Sequence, residues 1–191
     1  MQDDAENLTD LPLSDPTQIL DPEFWEWLGR CVATFGFLEF TLGRAIFALT
    51  STRVYDDQAE FDKANEKWLS VLEKALSDQL GGLIVKFDES VRNHSSRCKV
   101  DFYGKLIEDL NRAKELRNIL CHASWPVPDS SGKVLPFYVR NDKQMVETKM
   151  DVAYLQQVQR GTASACGYVV SVVTSMGIQF PGSNGPRKPV L

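Results

Sequence analysis

The sequence predicts an all-α domain: a four- to five-helix bundle with one small β-hairpin inserted before the last helix. Three observations lead to this fold class. Apolar residues recur at helical spacing through most of residues 22–176. Strand-like patterning is confined to about residues 134–148. The composition, 43% hydrophobic and 25% charged, is that of a globular chain with a core of ordinary size.

Both ends of the chain differ from this body. Residues 1–21 are polar and rich in Asp and Pro, which predicts a flexible leader, and the Pro/Gly-rich residues 177–191 predict a flexible tail. Residues 1–29 hold eight acidic residues and no Lys or Arg, so 21 basic and 18 acidic residues remain elsewhere, a net charge of +3. The acidic leader either solubilises the chain or screens a basic site, and the sequence leaves both interpretations open.

The first helix has a clear start signal at Asp21-Pro22-Glu23. Asp21 suits the N-cap, Pro22 the first helical position and Glu23 the first turn, and the helix is predicted to continue to about Thr50. Periodicity predicts further helices over about residues 58–79, with a break or kink at Gly81-Gly82, and over 83–95, 99–122 and 151–176.

The fourth helix is followed by a change of pattern. It must end near Trp125-Pro126, because a residue before proline avoids the helical conformation. Residues 126–132 are predicted to form a loop. The segments Val134–Val139 and Gln144–Thr148 flank Asn141-Asp142, which predicts the hairpin.

The four cysteines, Cys31, Cys98, Cys121 and Cys166, lack the paired spacing of a metal site. We therefore expect free thiols in a reducing cytoplasm, with no metal and no cofactor. No secretory signal is recognisable, and no apolar run reaches the roughly 20 residues that span a bilayer. A cytoplasmic protein without a membrane partner is expected.

Two charged residues fall on the apolar faces of their helices. On a helical wheel, Glu39 lies within the apolar stripe of the first helix and Arg117 within that of the fourth. A single buried charge is costly, whereas a paired and hydrogen-bonded one is tolerated. We therefore expect Glu39 to bind Arg117, either at a functional site or as an ion pair that only fixes helix register.

Asn118 and His122 share a helix face beside Arg117, because they are four residues apart. Histidine is the side chain best suited to proton transfer near neutral pH. The alternative for His122 is a helix-capping role. His94, in a polar turn, is expected to be solvated.

The string Glu115-Leu116-Arg117-Asn118-Ile119-Leu120-Cys121-His122 resembles the signature of the HEPN superfamily (higher eukaryotes and prokaryotes nucleotide-binding domains). That signature is an Arg, a polar residue and a His, with four to six residues between Arg and His. Four residues separate Arg117 from His122. The family's acidic residue on an earlier helix corresponds to Glu39, and the resemblance covers residues 22–176.

The resemblance implies a metal-independent endoribonuclease, of a kind often found as a toxin or defence effector, whose two protomers join their motifs in one cleft. A homodimer, an RNA substrate and a cognate antitoxin or regulatory protein are the implied partners. The implied roles are proton transfer by His122, phosphate stabilisation by Arg117, positioning by Asn118 and orientation of the arginine by Glu39.

Trp125 and Tyr103 are candidates for stacking on an RNA base, with core packing as the alternative for Trp125. A second interpretation of the whole chain stays open, since other members of the superfamily do not cleave RNA. The chain is then a non-catalytic helical interaction or regulatory module.

Overall fold

The computed structural model describes residues 19–52, 79–139 and 145–182. These residues form four α-helices: α1 (Pro22–Ser51), α2 (Leu80–Arg92), α3 (Tyr103–His122) and α4 (Val152–Ser175). No strand occurs within the described ranges. The all-α class is therefore confirmed.

The chain divides into two compact units. The first unit combines Met1–Val32 with Arg117–Gln159, and the second combines Ala33–Leu116 with Arg160–Leu191. Three of the helices, α1, α3 and α4, contribute residues to both units.

The start of α1 follows the sequence signal. The Asp21 side chain accepts a hydrogen bond of 2.7 Å from the main-chain nitrogen of Glu23, and its carbonyl accepts one of 2.9 Å from Phe24. These bonds satisfy two of the amide groups that a helix leaves unpaired in its first turn. The predicted N-cap is confirmed.

The length and composition of α1 also meet the criteria for a membrane span. Half of its most apolar window is buried in the protein, and the core helix of a soluble protein meets the same criteria. The finding is weak in either direction, and the cytoplasmic location stays a prediction.

The predicted break at Gly81-Gly82 is wrong, because both glycines lie in the first turn of α2. Gln79 precedes this turn in an extended conformation, and its carbonyl accepts a hydrogen bond of 2.9 Å from Gly82. A Cβ atom on Gly81 would lie 3.2 Å from Cδ of Lys114, so glycine suits the close approach to that side chain. Of the helix predicted over residues 58–79, all but Gln79 lie outside the described residues.

His94 is buried rather than solvated. Its exposed fraction is 8%, its Nε2 atom lies 3.2 Å from the Thr52 hydroxyl, and its Nδ1 atom accepts a hydrogen bond of 3.0 Å from the amide of Ser96. Buried polar groups are normally satisfied in this way. His94 therefore has a structural role in the turn after α2.

The described part of the segment predicted as a hairpin has no paired strands. It has three isolated antiparallel bridges instead, which join Ser124 to Phe137, Val134 to Met150 and Val139 to Met145. Residues 140–144, which include the predicted turn, lie outside the described ranges. In the described part of the connection between α3 and α4, main-chain pairing is thus limited to isolated pairs of residues.

Buried apolar side chains occur in both units. In the first unit, Phe24 packs on Trp125 with ring centroids 5.2 Å apart and an interplanar angle of 69°, an edge-to-face contact. Other buried residues of this unit are Leu20, Cys31, Ile119, Leu120, Val134, Val146, Met150 and Leu155. Those of the second unit include Phe35, Leu38, Leu42, Ile46, Leu83, Phe87, Leu110, Val169 and Val173.

The second unit also includes part of the predicted tail. Ile178 and Phe180 are buried, with exposed fractions of 7% and 8%. The described chain therefore contributes to the core beyond residue 177, where the tail was predicted to begin.

All four cysteines are free thiols. Cys31 and Cys166 are buried, Cys98 is half-buried and Cys121 is exposed. The Cys31 thiol donates a hydrogen bond of 3.2 Å to the carbonyl of Leu155, and burial raises its pKa to about 11. Cys31 therefore stays protonated and acts as part of the core.

Replacing Asp21 by alanine is expected to destabilise the protein by about 1 kcal/mol, because the first turn of α1 loses its side-chain cap. The free energy of unfolding in urea measures the effect. Asp21→Ser retains a capping oxygen and is expected to stay within about 0.5 kcal/mol of wild type. Equal losses in the two variants would show that the cap does not support the helix.

Candidate functional site

Three of the predicted site residues lie together at the C-terminal end of α3. Arg117 and Asn118 are half-buried, and His122, the last residue of the helix, is exposed. The Arg117 guanidinium donates a long hydrogen bond of 3.4 Å from Nη1 to Oδ1 of Asn118. His122 is one turn beyond Asn118 on the same face. The first unit therefore offers a guanidinium, an amide and an imidazole within two helical turns.

The chain beyond His122 is anchored by main-chain pairing. Ser124 donates a hydrogen bond of 3.0 Å from its nitrogen to the carbonyl of Phe137, and Phe137 donates one of 2.9 Å in return. Both partners are thereby fixed in an antiparallel bridge. This bridge sets the position of the chain two residues after the histidine.

Trp125 is buried, with an exposed fraction of 8%, and its ring packs on Phe24. A nucleobase needs an accessible ring face to stack on. The burial therefore favours the packing alternative for Trp125.

Tyr103 belongs to the second unit and is half-buried. Its hydroxyl donates a hydrogen bond of 2.8 Å to Oδ1 of Asp88. Burial, together with this carboxylate, raises the pKa of Tyr103 far above its ordinary value. The Tyr103 hydroxyl thus serves as a neutral hydrogen-bond donor within the second unit.

Glu39 also belongs to the second unit, whereas Arg117 belongs to the first. Glu39 is half-buried, and its Oε1 atom is fully buried. The sequence argument placed this carboxylate on an apolar face, in agreement with that burial. Its pairing with Arg117 stays a prediction.

The segment between α3 and α4 has a buried face and an exposed face, and both are apolar. Val134, Val146 and Met150 are buried on one side. Four alternate residues lie on the other side, here named the outer face: Leu135, Phe137, Val139 and Met145, with exposed fractions of 42%, 57%, 51% and 54%. Alternation along extended chain explains the separation of the two sets.

The outer face was missed from the sequence. An antiparallel segment that packs on one side normally presents polar residues to water on the other. A contiguous apolar patch on the surface marks an interaction site. The signal was the uninterrupted apolar run Val134–Val139, in which both faces are apolar.

The loop that precedes the outer face is held by Asp129. Its Oδ1 accepts hydrogen bonds from the Ser131 nitrogen, at 2.9 Å, and the Ser131 hydroxyl, at 2.6 Å, and its Oδ2 accepts one of 2.6 Å from Nζ of Lys149. These donors, Lys149 foremost, hold the pKa of Asp129 well below its ordinary value. Gly132 completes the turn with a φ of 76°, a conformation that favours glycine.

A separate groove of about 240 Å³ lies within the second unit. Arg44 is the charged residue among those lining it; its guanidinium carbon lies 4.1 Å from the centre of the Phe40 ring, and Nη1 is 3.3 Å from the carbonyl oxygen of Pro181. The other lining residues are Phe37, Thr41, Ala163, Cys166, Gly167, Val170 and Phe180. The groove suits an apolar group beside one cation.

Within the described ranges, no three His, Cys, Asp or Glu side chains cluster in a way that would hold a metal ion. No family model matches the chain, and neither a curated protein nor a solved structure shows significant similarity to it. The functional assignment therefore depends on the residues at the end of α3.

Loss of the Asp129 carboxylate is expected to lower the stability of the fold at neutral pH but not in acid. Its pKa in the folded protein is below the unfolded value of about 3.9, so its contribution to stability is complete above that value. The contribution disappears as the pH falls through the lower, folded pKa. The melting temperature of Asp129→Asn should therefore lie below that of wild type at pH 7, and the difference should shrink as the pH falls below about 4.

Glu147→Gln is the matched control, since Glu147 is an exposed carboxylate in the same segment. Its melting temperature should follow wild type throughout this pH range. A constant difference between Asp129→Asn and wild type from pH 7 to pH 2 would contradict the proposed role of the carboxylate.

Proposed function

We propose that this chain is a metal-independent endoribonuclease of the HEPN type, a toxin or defence effector that acts as a homodimer. The supporting observation is the grouping of Arg117, Asn118 and His122 at the end of α3, with the imidazole exposed and the guanidinium bound to the amide. Their spacing is that of the family signature.

The proposed reaction needs only these side chains and RNA. His122 removes the proton of a 2′-hydroxyl, whose oxygen attacks the adjacent phosphorus. The bond from phosphorus to the 5′-oxygen breaks, and that oxygen takes a proton from the second His122 of the dimer or from water. Arg117 stabilises the negative charge that develops on the phosphate. The products are a 2′,3′-cyclic phosphate and a 5′-hydroxyl.

Asn118 and Glu39 are proposed as positioning residues. The hydrogen bond between Arg117 and Asn118 restricts the guanidinium before RNA binds, which lowers the cost of ordering it in the transition state. Glu39 is proposed to orient the same guanidinium through an ion pair.

Purified protein is expected to cleave single-stranded RNA in the presence of EDTA. His122→Ala should lower the rate by about 10² to 10⁴, the contribution of a general acid or base. Arg117→Ala should lower it by about 10² or more, as expected for a group that stabilises transition-state charge. Arg112→Ala is the control, because it removes an exposed arginine from the same helix and should leave the rate unchanged.

The chemistry of the new RNA ends provides a second readout of the same experiment. A 2′,3′-cyclic phosphate at the 3′ end supports attack by the 2′-hydroxyl, whereas a 3′-hydroxyl would exclude it. Wild-type protein that is folded and dimeric but does not cleave would overturn the nuclease. Activity that survives in both His122→Ala and Arg117→Ala would point to a contaminant.

The outer face favours one other candidate function, a non-catalytic interaction module. Four large apolar side chains at about half exposure are unusual for a surface that meets only water. Such a module would bind a protein partner, for example a cognate antitoxin or regulatory protein. Folded but inactive wild-type protein would favour this candidate.

The homodimer within our proposal is supported by a charge-poor surface of the second unit. Phe37 and Phe40 are 57% and 48% exposed beside the groove. Apart from Arg44, which lines the groove, the exposed neighbours in α1 and α4 include five small and uncharged residues: Ala33, Gly36, Ala163, Ser164 and Gly167. Depletion of charge is typical of interface cores. About a two-fold axis, the exposed phenylalanines of each protomer can enter the groove of the other.

Wild-type protein is expected to run at twice the chain mass of 21.5 kDa in light scattering. Phe37→Glu should shift it to the monomer mass, because it places a charge in the proposed apolar interface. Val85→Glu is the matched control, since Val85 on α2 is also 57% exposed, and it should leave the dimer intact. A dimer unaffected by Phe37→Glu would exclude this surface as the interface.

A further inference from the structure

Two aromatic rings of the second unit pack together at its surface. Phe102 lies just before α3 and Tyr168 lies on α4; their ring centroids are 5.1 Å apart, with an interplanar angle of 48°. Phe102 is half-buried, whereas Tyr168 is 50% exposed. An exposed ring that packs on a second ring offers a supported surface on which a planar group can stack. These two residues are here named the aromatic pair.

Two cations lie close to the aromatic pair in the chain. Arg97 and Lys99 are exposed, and they precede Phe102 by five and three residues. A chain of five residues spans at most about 18 Å and one of three about 11 Å, so both cations lie near the rings. Within the described ranges, neither cation is bound to a carboxylate, whereas Lys105 pairs with Asp109 at 2.8 Å. The two cations are therefore available to an anionic ligand.

The connection between α2 and α3, which carries the two cations, is held on either side of them. Before them, the amide of Ser96 donates a hydrogen bond of 3.0 Å to Nδ1 of the buried His94. After them, the nitrogen of Tyr103 donates one of 3.2 Å to the carbonyl of Val100. The main chain that presents the cations therefore needs little ordering when a ligand binds, which lowers the cost of binding.

A ligand that suits this surface has planar rings and negative charges along one flexible strand. Single-stranded RNA has both, because every base has a face that can stack and every nucleotide carries a phosphate. Proteins bind single strands with aromatic side chains beside cations that follow the backbone. Asp101 is the one acidic residue among residues 97–102, so two cations and one carboxylate leave a net charge of +1. Its carboxylate opposes the approach of a phosphate.

We propose that a base of single-stranded RNA stacks on Tyr168, which Phe102 supports. The same strand places its phosphates beside Arg97 and Lys99. This inference rests on the proposed function, since it takes the RNA substrate as the ligand, and it adds a binding surface in the second unit to the candidate site in the first. The stacking role predicted for Tyr103 is thus assigned to its neighbour in the chain and the ring on α4.

The test is the binding of a fluorescent single-stranded RNA of about 12 nucleotides, measured by fluorescence anisotropy. The RNA carries 2′-O-methyl groups, which block attack by the 2′-oxygen, so that binding is measured without cleavage. Tyr168→Ser should raise Kd about fivefold or more, the contribution of one stacked base. Tyr168→Phe keeps the ring and should bind within about twofold of wild type. Far-ultraviolet circular dichroism confirms that each variant retains its helices.

The phosphate contacts are tested by salt dependence. Arg97→Gln combined with Lys99→Gln should lower the slope of log affinity against log salt by about 1.4, because each phosphate contact with a single strand contributes about 0.7. Arg112→Gln combined with Arg160→Gln is the matched control, since it removes the same charge from exposed positions of the second unit and should keep the wild-type slope. Asp101→Asn should bind the RNA more tightly than wild type, because it removes the opposing carboxylate.

Equal affinities of wild type and Tyr168→Ser for the RNA would overturn the proposal. A loss in Tyr168→Phe as large as that in Tyr168→Ser would also overturn it, because the hydroxyl and not the ring would then be responsible. Inorganic polyphosphate has no bases, so its binding should weaken in the variant without the two cations and stay unchanged in Tyr168→Ser; an equal loss in Tyr168→Ser would exclude stacking.

The outcome for this surface is distinguishable from the outcome for the nuclease. RNA binding that depends on Tyr168, in a protein that does not cleave RNA, would overturn the nuclease and support the binding surface. Cleavage by a protein whose RNA affinity is unaffected by Tyr168→Ser would support the nuclease and overturn the binding surface.

Discussion

Two hydrogen bonds between the main chains of Ser124 and Phe137 anchor the chain that follows the candidate site at the end of α3. A helix that ends in a loop can place its last side chains in many directions. Here Ser124, two residues after His122, is paired with Phe137, so the direction in which the chain leaves α3 is fixed. Phe137, the partner in this pairing, is 57% exposed. One pair of residues thus fixes both the candidate catalytic group and the apolar surface next to it in the chain.

Local chemistry explains why much of the helical fold could be predicted. Asp21-Pro22 sets the start of α1 through a side-chain cap and a fixed φ angle, and neither depends on distant residues. The helix predicted over 151–176 is observed as Val152–Ser175 for a similar reason, since Asp151 accepts a hydrogen bond from the nitrogen of Tyr154. Signals within one turn of chain carry this information.

Where the prediction failed, the structure has contacts with residues elsewhere in the chain. Two adjacent glycines disfavour a helix by propensity, yet α2 includes them where its first turn approaches Lys114. A polar turn suggested solvent around His94, yet Thr52 lies within hydrogen-bonding distance of its ring. Propensity is a weak guide wherever tertiary contacts compensate for it.

In the candidate site, too, features set by local sequence could be predicted and features set by distant contacts could not. The grouping of Asn118 with His122 could be predicted, because helical spacing alone places them on one face. The burial of Trp125 could not, since it depends on the position of Phe24, about a hundred residues earlier. The run Val134–Val139 indicates two apolar faces, but which residues form the outer face could not be predicted. An apolar run does not show which of its two faces meets water.

The distribution of the thiols has a practical consequence. Cys121, directly before His122, is the exposed cysteine, whereas Cys31 and Cys166 are buried and Cys98 is half-buried. The natural sequence therefore supplies an attachment point for a fluorophore or spin label beside the candidate catalytic group. Changes in the emission or mobility of such a probe would report ligand arrival in real time, with no cysteine introduced by engineering.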